Sequence, residues 1–198
     1  MHHQSLTDEM YRCVLASRSS GWAPLSVMMG SARWNPSGQA AVYAAFEPDV
    51  AEAEKMRHIT LAMGSALFVA LGLWTGKALS AWPVDLAIVA FDPFVTTTSA
   101  IWDGRGVGAP SPYFQRHMRP GPPDGDPHGY DDPQLQGYAW ARGGCNRIIV
   151  PSYPFFGADT LRWTNVFYLE GYRQPAYSRL PALRVARSSY QAWAPVTP

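Results

Sequence analysis

Four residues of reactive or ligand-binding type fall in an order that could assemble a site. Arg33 and Tyr43 lie either side of the turn in SARWNPSGQAAVYAAF, residues 31–46. Glu54 follows in EPDVAEAEKMRH, residues 47–58, and Ser152 ends NRIIVPS, residues 146–152. A guanidinium offers a planar fork of donors to an anion. A phenol ring supplies a flat wall. A carboxylate stabilises developing positive charge or moves a proton. A serine hydroxyl donates or accepts a hydrogen bond. Each residue also has an ordinary explanation. Arg33 can pack its stem and keep its head in water, and Tyr43 can be core. Glu54 faces Arg57 and His58 at helical i+3 and i+4, the spacing of a surface ion pair. Ser152 can shape a turn. Only their joint arrangement argues for a site.

The elements that must position them are legible as patterns. Residues 10–16, MYRCVLA, read as a short strand and 17–29 as a loop. Asn35-Pro36-Ser37-Gly38 has the chemistry of a type I turn, with Gly at the position that needs a positive φ. Followed by a bulge, this turn makes a hairpin that pairs Asn35 with Gln39, Arg33 with Ala41 and Ser31 with Tyr43. Arg33 and Tyr43 then share a face, whereas a plain four-residue loop would separate them. Residues 48–71 read as a helix with Asp49 as N-cap and Glu52 as its capping-box partner. VDLAIVAFDPF, 84–94, reads as a buried strand, and so do NRIIVPS, 146–152, and TNVFYLEGY, 164–172. Residues 133–144 read as a short helix. The stretch 103–137 holds seven Gly and seven Pro, so little regular structure is expected in it. The tail after Gly171 is expected to pack loosely.

Composition narrows the class. A chain of 198 residues suits one domain with a sizeable core, here 1–198 with an insertion at about 103–137. The net charge of +1 excludes a general basic nucleic-acid-binding face. The most apolar run, 59–74, is shorter than the about 20 residues of a membrane span and contains Gly and polar residues. No signal-peptide core opens the chain, so a cytoplasmic protein, or one delivered into a target cell's cytoplasm, is expected. Cys13 and Cys145 lack metal or redox spacing and are expected to stay reduced. P-loop, GxGxxG, HExxH and CxxC motifs are absent. His117 and His128 stand among Asp124, Asp126 and Asp131, but their irregular spacing does not describe a metal site, and no metal is expected.

The run YRCVLAS…GSARWNPSGQAAVYAAFEPDVAEAE resembles the N-terminal half of the RES domain. That family is named for its Arg, Glu and Ser and has a Gly/Ala-Arg-Trp-Asn-x-x-Gly signature followed by a Tyr and a Glu. VDLAIVAFDPF resembles its central strand. GGCNRIIVPSYPFFGADTLRWTNVFYLEG resembles its strand-Pro-Ser region and the strand after it. The resemblance covers roughly residues 10–170. It departs from the family pattern in the 103–137 insertion and in Ser31-Ala32, where Gly is common.

The resemblance implies an α+β fold similar to that of ADP-ribosyltransferases, with mixed and antiparallel strands forming a central cleft flanked by helices. It implies a toxin that cleaves the nicotinamide–ribose bond of NAD+, as a glycohydrolase or phosphorylase, and depletes NAD+. NAD+ is then a substrate rather than a prosthetic group, with inorganic phosphate as a possible co-substrate. A neutralising antitoxin or immunity protein is the implied partner. Bond cleavage passes through an oxocarbenium-like ribose. Carried onto this chain, Glu54 stabilises that charge, Arg33 binds pyrophosphate or phosphate, with Arg12 as a second candidate, Tyr43 walls the nicotinamide, and Ser152 donates to phosphate or ribose. No base is identifiable that would make Ser152 a nucleophile. Transfer of ADP-ribose to a protein or nucleic acid is the alternative activity, and a binding module without turnover is another. Glu52-Ala53-Glu54 matches the Glu-x-Glu of arginine-directed ADP-ribosyltransferases, but the order Arg, Glu, Ser fits the RES pattern instead.

Overall fold

The computed structural model describes residues 9–19, 32–67, 81–91, 95–96, 101–107, 111–121, 126–157, 161–168, 177–179 and 183–195. The expected loop at 20–29, the helix end at 68–71 and the strand ends at 92–94 and 169–172 lie outside these residues. The strands are β1 (Met10–Leu15), β2 (Ala41–Ala45), β3 (Ala81–Phe91), β4 (Val95–Thr96), β5 (Ile101–Asp103), β6 (Arg147–Pro151), β7 (Trp163–Tyr168), β8 (Tyr177–Arg179) and β9 (Leu183–Pro195). The α-helices are α1 (Pro48–Leu67), α2 (Pro112–His117) and α3 (Asp131–Arg142). The fold is α+β, as the sequence suggests.

Seven strands form one sheet in the order β5-β6-β7-β2-β1-β3-β9. Every neighbouring pair is antiparallel except β5 and β6. β4 and β8 pair separately. β3 fulfils its continuous apolar pattern: Leu86 to Phe91 are all buried, so both sheet faces are covered there. On one face, Cys13, Leu86, Ile88 and the small Ala45 pack against Val50, Ala51 and Ile59 of α1. Farther along that face, Ala41, Ile148, Val150, Val166 and Tyr168 pack around Trp34, Phe114 and Met118. Met10, Val42, Ala44, Phe91 and Phe167 form the core of the opposite face.

Three expectations are corrected. α1 opens at Pro48, so Asp49 lies inside its first turn; the Ala51 N–H is bonded to the Glu47 carbonyl, and Asp49 Oδ1 accepts from Val50 N–H. The 103–137 stretch contains a 3-10 turn at Gly104–Val107 and α2, as well as the start of α3. Ser111 caps α2 by accepting from Phe114 N–H, with Pro112 at the first helical position, where its missing N–H costs nothing. The chain after Gly171 supplies β8 and the edge strand β9, which pairs with β3 along most of its length through irregular register shifts. The ladder to β3 overrides the polar composition of the tail.

Candidate active site

Ala32 and Asn35 exchange both backbone hydrogen bonds, at 3.0 and 3.3 Å, closing a tight turn with Arg33 and Trp34 at its tip. The expected hairpin register, Arg33 opposite Ala41, therefore does not form. Both edges of β2 are already taken, by β1 and by five positions of β7. The short, polar 31–35 arm cannot displace that ladder; Ser31 lies outside the described residues. The 36–39 reversal does follow its chemistry: Gly38 has φ +87°. Gln39 N–H donates to the Pro36 carbonyl, and Asn35 Nδ2 donates to the Gln39 carbonyl.

Tyr43 reaches the Arg33 turn by another route. Its hydroxyl accepts from Trp34 N–H at 3.0 Å and donates to Asn35 Oδ1 at 2.8 Å. Burial pushes this phenol well above its ordinary range. Other elements pin the same turn. Tyr168 Oη donates to the Trp34 carbonyl, and Gln134 Nε2 of α3 donates to the Ala32 carbonyl. Trp34, only 1% exposed, stacks with His117 and Trp140. Arg33 is thereby held inward. Its Nη1 donates to the Arg119 carbonyl at 2.6 Å and the His117 carbonyl at 3.2 Å. Its guanidinium lies 4.7 Å from the Tyr130 ring centroid and 4.2 Å from that of Tyr153.

Glu54 and Ser152 meet although 98 positions separate them. Val50 and Glu54 are one helical turn apart, so the core-facing stripe of α1 carries the carboxyl inward. β6 ends at Pro151, and Ser152, fully buried, is fixed by its N–H donating to the Arg162 carbonyl. Ser152 Oγ then donates to Glu54 Oε1 at 2.7 Å, and Tyr153 N–H donates to the same oxygen at 3.2 Å. Burial raises the Glu54 pKa. The Ser152 bond, the Arg57 charge, the Tyr153 N–H and the Arg33 charge pull it back without cancelling the shift. A carboxyl so placed sits in a preorganised donor environment, next to two guanidinium cations.

Arg33, Tyr43, Glu54 and Ser152 thus belong to one connected region. Arg12 does not join them. Its neighbours Tyr11 and Cys13 pack on the α1 side, so strand alternation sends Arg12 to the opposite face with Met10. Burial there lowers its pKa to about 10. Glu52, two positions from Glu54, points to a different side of α1.

Several contributors escape sequence reasoning. Tyr153, directly after Ser152, bonds Glu54 through its backbone and lies against Arg33; no spacing rule singles it out. Tyr130 and the carbonyls of His117 and Arg119 come from the Gly/Pro-rich stretch. Ser111-Pro112 is a helix-start signal for the segment that ends in the His117 and Arg119 carbonyls, and no local pattern marks Tyr130. His117 turns its side chain to structural use: Nδ1–H donates to the Tyr113 carbonyl at 2.7 Å. His128 pairs with Asp131 at 3.0 Å. Among the described residues, no group of three or more His, Cys, Asp or Glu is placed to hold a metal. Among them, too, no helix is long and apolar enough to cross a membrane.

No curated protein matches the chain. Among solved structures it is similar to a chain of the M. tuberculosis MbcT-MbcA toxin-antitoxin complex, with 17% identity and a TM-score of 0.49. The match covers 94% of this chain and 84% of that one. The family model described as the RES domain matches residues 9–166. That span holds the Arg33 turn, Tyr43, Glu54 and Ser152, and the chain belongs to the RES domain family.

Proposed function

We propose that the chain is a toxin that cleaves the nicotinamide–ribose bond of NAD+, by hydrolysis or phosphorolysis. The observation that carries this reading is the half-buried Glu54, its carboxyl held by Ser152 Oγ and Tyr153 N–H and flanked by the Arg33 and Arg57 charges. In the reaction, the electron pair of the C1′–N bond leaves with nicotinamide, which departs neutral. The ribose is left oxocarbenium-like. Ionised Glu54 stabilises that centre; water then adds at C1′ and loses one proton to solvent, or a phosphate dianion adds there. Ser152 fixes the carboxylate in place, which fits a positioning hydroxyl better than a nucleophile. Tyr43 braces the turn that carries Arg33 and offers its ring as a wall for nicotinamide. Phosphate enters as co-substrate only in phosphorolysis. A neutralising antitoxin or immunity protein is the partner, and the cytoplasm is the site of action.

Purified protein incubated with NAD+, with and without phosphate, tests the reading. Free nicotinamide with ADP-ribose is expected for hydrolysis, and with ADP-ribose-1″-phosphate for phosphorolysis. No nicotinamide in either buffer rejects the proposal. Label from NAD+ accumulating on a macromolecule would assign ADP-ribosyl transfer instead.

A further inference from the structure

We propose that Tyr153 is a positioning residue, whose ring holds the positive charges of Arg33 and Arg57 at the Glu54 carboxyl. The catalytic consequence rests on the NAD+ reading above; the arrangement itself does not. Arg33 and Arg57 arrive from unrelated elements, the 32–35 turn and α1. One ring meets both. The Arg57 guanidinium carbon lies 4.0 Å from the Tyr153 ring centroid, and that of Arg33 lies 4.2 Å from it. Tyr153 also reaches the carboxyl, because its backbone N–H donates to Glu54 Oε1 at 3.2 Å. Both kinds of contact use parts of Tyr153 other than its hydroxyl. The ring has a fixed seat. Phe155 N–H donates to the Ser152 carbonyl and Phe156 N–H to the Tyr153 carbonyl, closing a 3-10 turn over Tyr153–Phe155. The ring then packs against the core around Trp34 and Phe114.

Electrostatics gives the ring its task. Two guanidiniums within about 8 Å of each other repel. Long side chains also gain rotamer freedom by swinging into solvent, and Arg57 is only half-buried. The negative face of an aromatic ring attracts a cation, so a ring anchored in the core opposes both tendencies. Stacking engages the face of a guanidinium and leaves its edge for hydrogen bonds, so this role needs no unbonded arginine donor. Arg33 shows the two together: Nη1 donates to the His117 and Arg119 carbonyls while the guanidinium carbon lies over the ring. Among the described residues, the ionisable groups facing Glu54 are Arg57 on α1, Arg33 on the turn, Tyr153 itself and Tyr43 of β2, with Tyr130 beyond Arg33. Burial holds the Tyr43 phenol well above its ordinary range, so it stays neutral near pH 7. Burial also raises the Glu54 pKa, and the Arg57 and Arg33 charges are among the influences that draw it down. Loss of the ring lets the guanidiniums drift from the carboxyl, and Glu54 then keeps its proton to higher pH.

Carbon-13 NMR of the full chain, labelled at glutamate side-chain carboxyls, follows the ionisation of Glu54, whose resonance is assigned by its loss in Glu54→Gln. Tyr153→Leu removes the ring and keeps the backbone N–H. Its Glu54 midpoint is expected about 0.5–1 pH unit above wild type, part of the effect of a neighbouring opposite charge. Tyr153→Phe keeps the ring and should restore the wild-type midpoint. An unmoved or lower midpoint in Tyr153→Leu overturns the proposal, even where its melting temperature falls, because Tyr153 is then a packing residue. An equal rise in Tyr153→Phe also overturns it, by assigning the effect to the hydroxyl. The unaltered chain gives a second measurement should Tyr153→Leu not fold. The Arg57 guanidinium lies over the ring, so its side-chain protons should resonate upfield of their ordinary positions. Ordinary positions overturn the proposal. The acid limb of nicotinamide release should shift with the midpoint. If wild type releases no nicotinamide, the proposed reaction fails and the titration still decides Tyr153.

Discussion

The Glu54 carboxyl feels burial and nearby donors in opposite directions, and burial prevails. A carboxyl with a raised folded-state pKa holds its proton more tightly folded than unfolded. Its stabilising contribution is present at acid pH and is lost as pH rises through the raised value. At neutral pH the ionised group therefore costs stability. Glu54→Gln keeps an oxygen for Ser152 Oγ and Tyr153 N–H and removes the charge. Its melting temperature at pH 7 should exceed that of wild type, and the gap should close below about pH 4, near the unfolded carboxyl range. Turnover should fall about 10²–10⁴-fold, the scale of a lost acid, base or charge-stabilising group. Melts at both pH values and a nicotinamide-release rate check this; a lower melting temperature at pH 7 would show that burial does not dominate. Ser152→Ala removes a bond that lowers the Glu54 pKa. The acid limb of the wild-type rate profile should then move to higher pH, as a rate series between pH 4 and 8 would reveal.

At the scale of elements, the Arg33 turn keeps its shape because α3 lies directly against it. A Cβ added at Gly137 would stand 2.0 Å from the Trp34 carbonyl oxygen and 2.7 Å from Tyr168 Oη. Backbone cannot yield as a flexible side chain does, so Gly137→Ala should cost about 1–3 kcal/mol. It should also depress activity by displacing Arg33. Gly106→Ala meets nothing within 4 Å and should stay within about 0.5 kcal/mol of wild type. Urea titrations of the two variants make the comparison, and equal stability would mean that α3 does not hold the turn. This dependence also explains what could be read in advance. β1, β3, β6, β7 and α1 announce themselves through local pattern, and the Asn-Pro-Ser-Gly reversal through turn chemistry. The partner of β2 is a competition among distant segments, so local turn chemistry misplaced Arg33 opposite Ala41. The Gly- and Pro-rich composition of 103–137 hid the contacts by which Tyr130 and the 117–119 carbonyls grip Arg33. Gly129 illustrates why glycine there is no sign of disorder: a Cβ would stand 1.6 Å from the Pro120 carbonyl oxygen, so Gly permits two chain segments to cross. Arg33, Tyr43, Glu54 and Ser152 were legible as types in order, whereas their mutual contacts depend on packing that no spacing encodes.

At the scale of the whole molecule, the family match ends at residue 166, yet the sheet does not. β9 lies beyond it and pairs with β3 from Ala81↔Pro195 to Phe91↔Leu183. β3 is the strand that β1 joins along its full length, and α1, which carries Glu54 and Arg57, packs on Leu86 and Ile88 of β3. Removing β9 would leave a long apolar strand with an unpaired edge, which is a template for intermolecular pairing. A chain truncated after residue 182 should therefore lose its cooperative melt and aggregate, although every residue proposed for the reaction remains. Size-exclusion chromatography and a thermal melt of the truncated chain decide the point. A soluble monomer with wild-type melting and nicotinamide release would show that β9 is dispensable. Aggregation would place β9 within the folding unit, because the position of Glu54 beside Ser152 depends on α1, α1 depends on β3, and β3 depends on a strand outside the recognised family span.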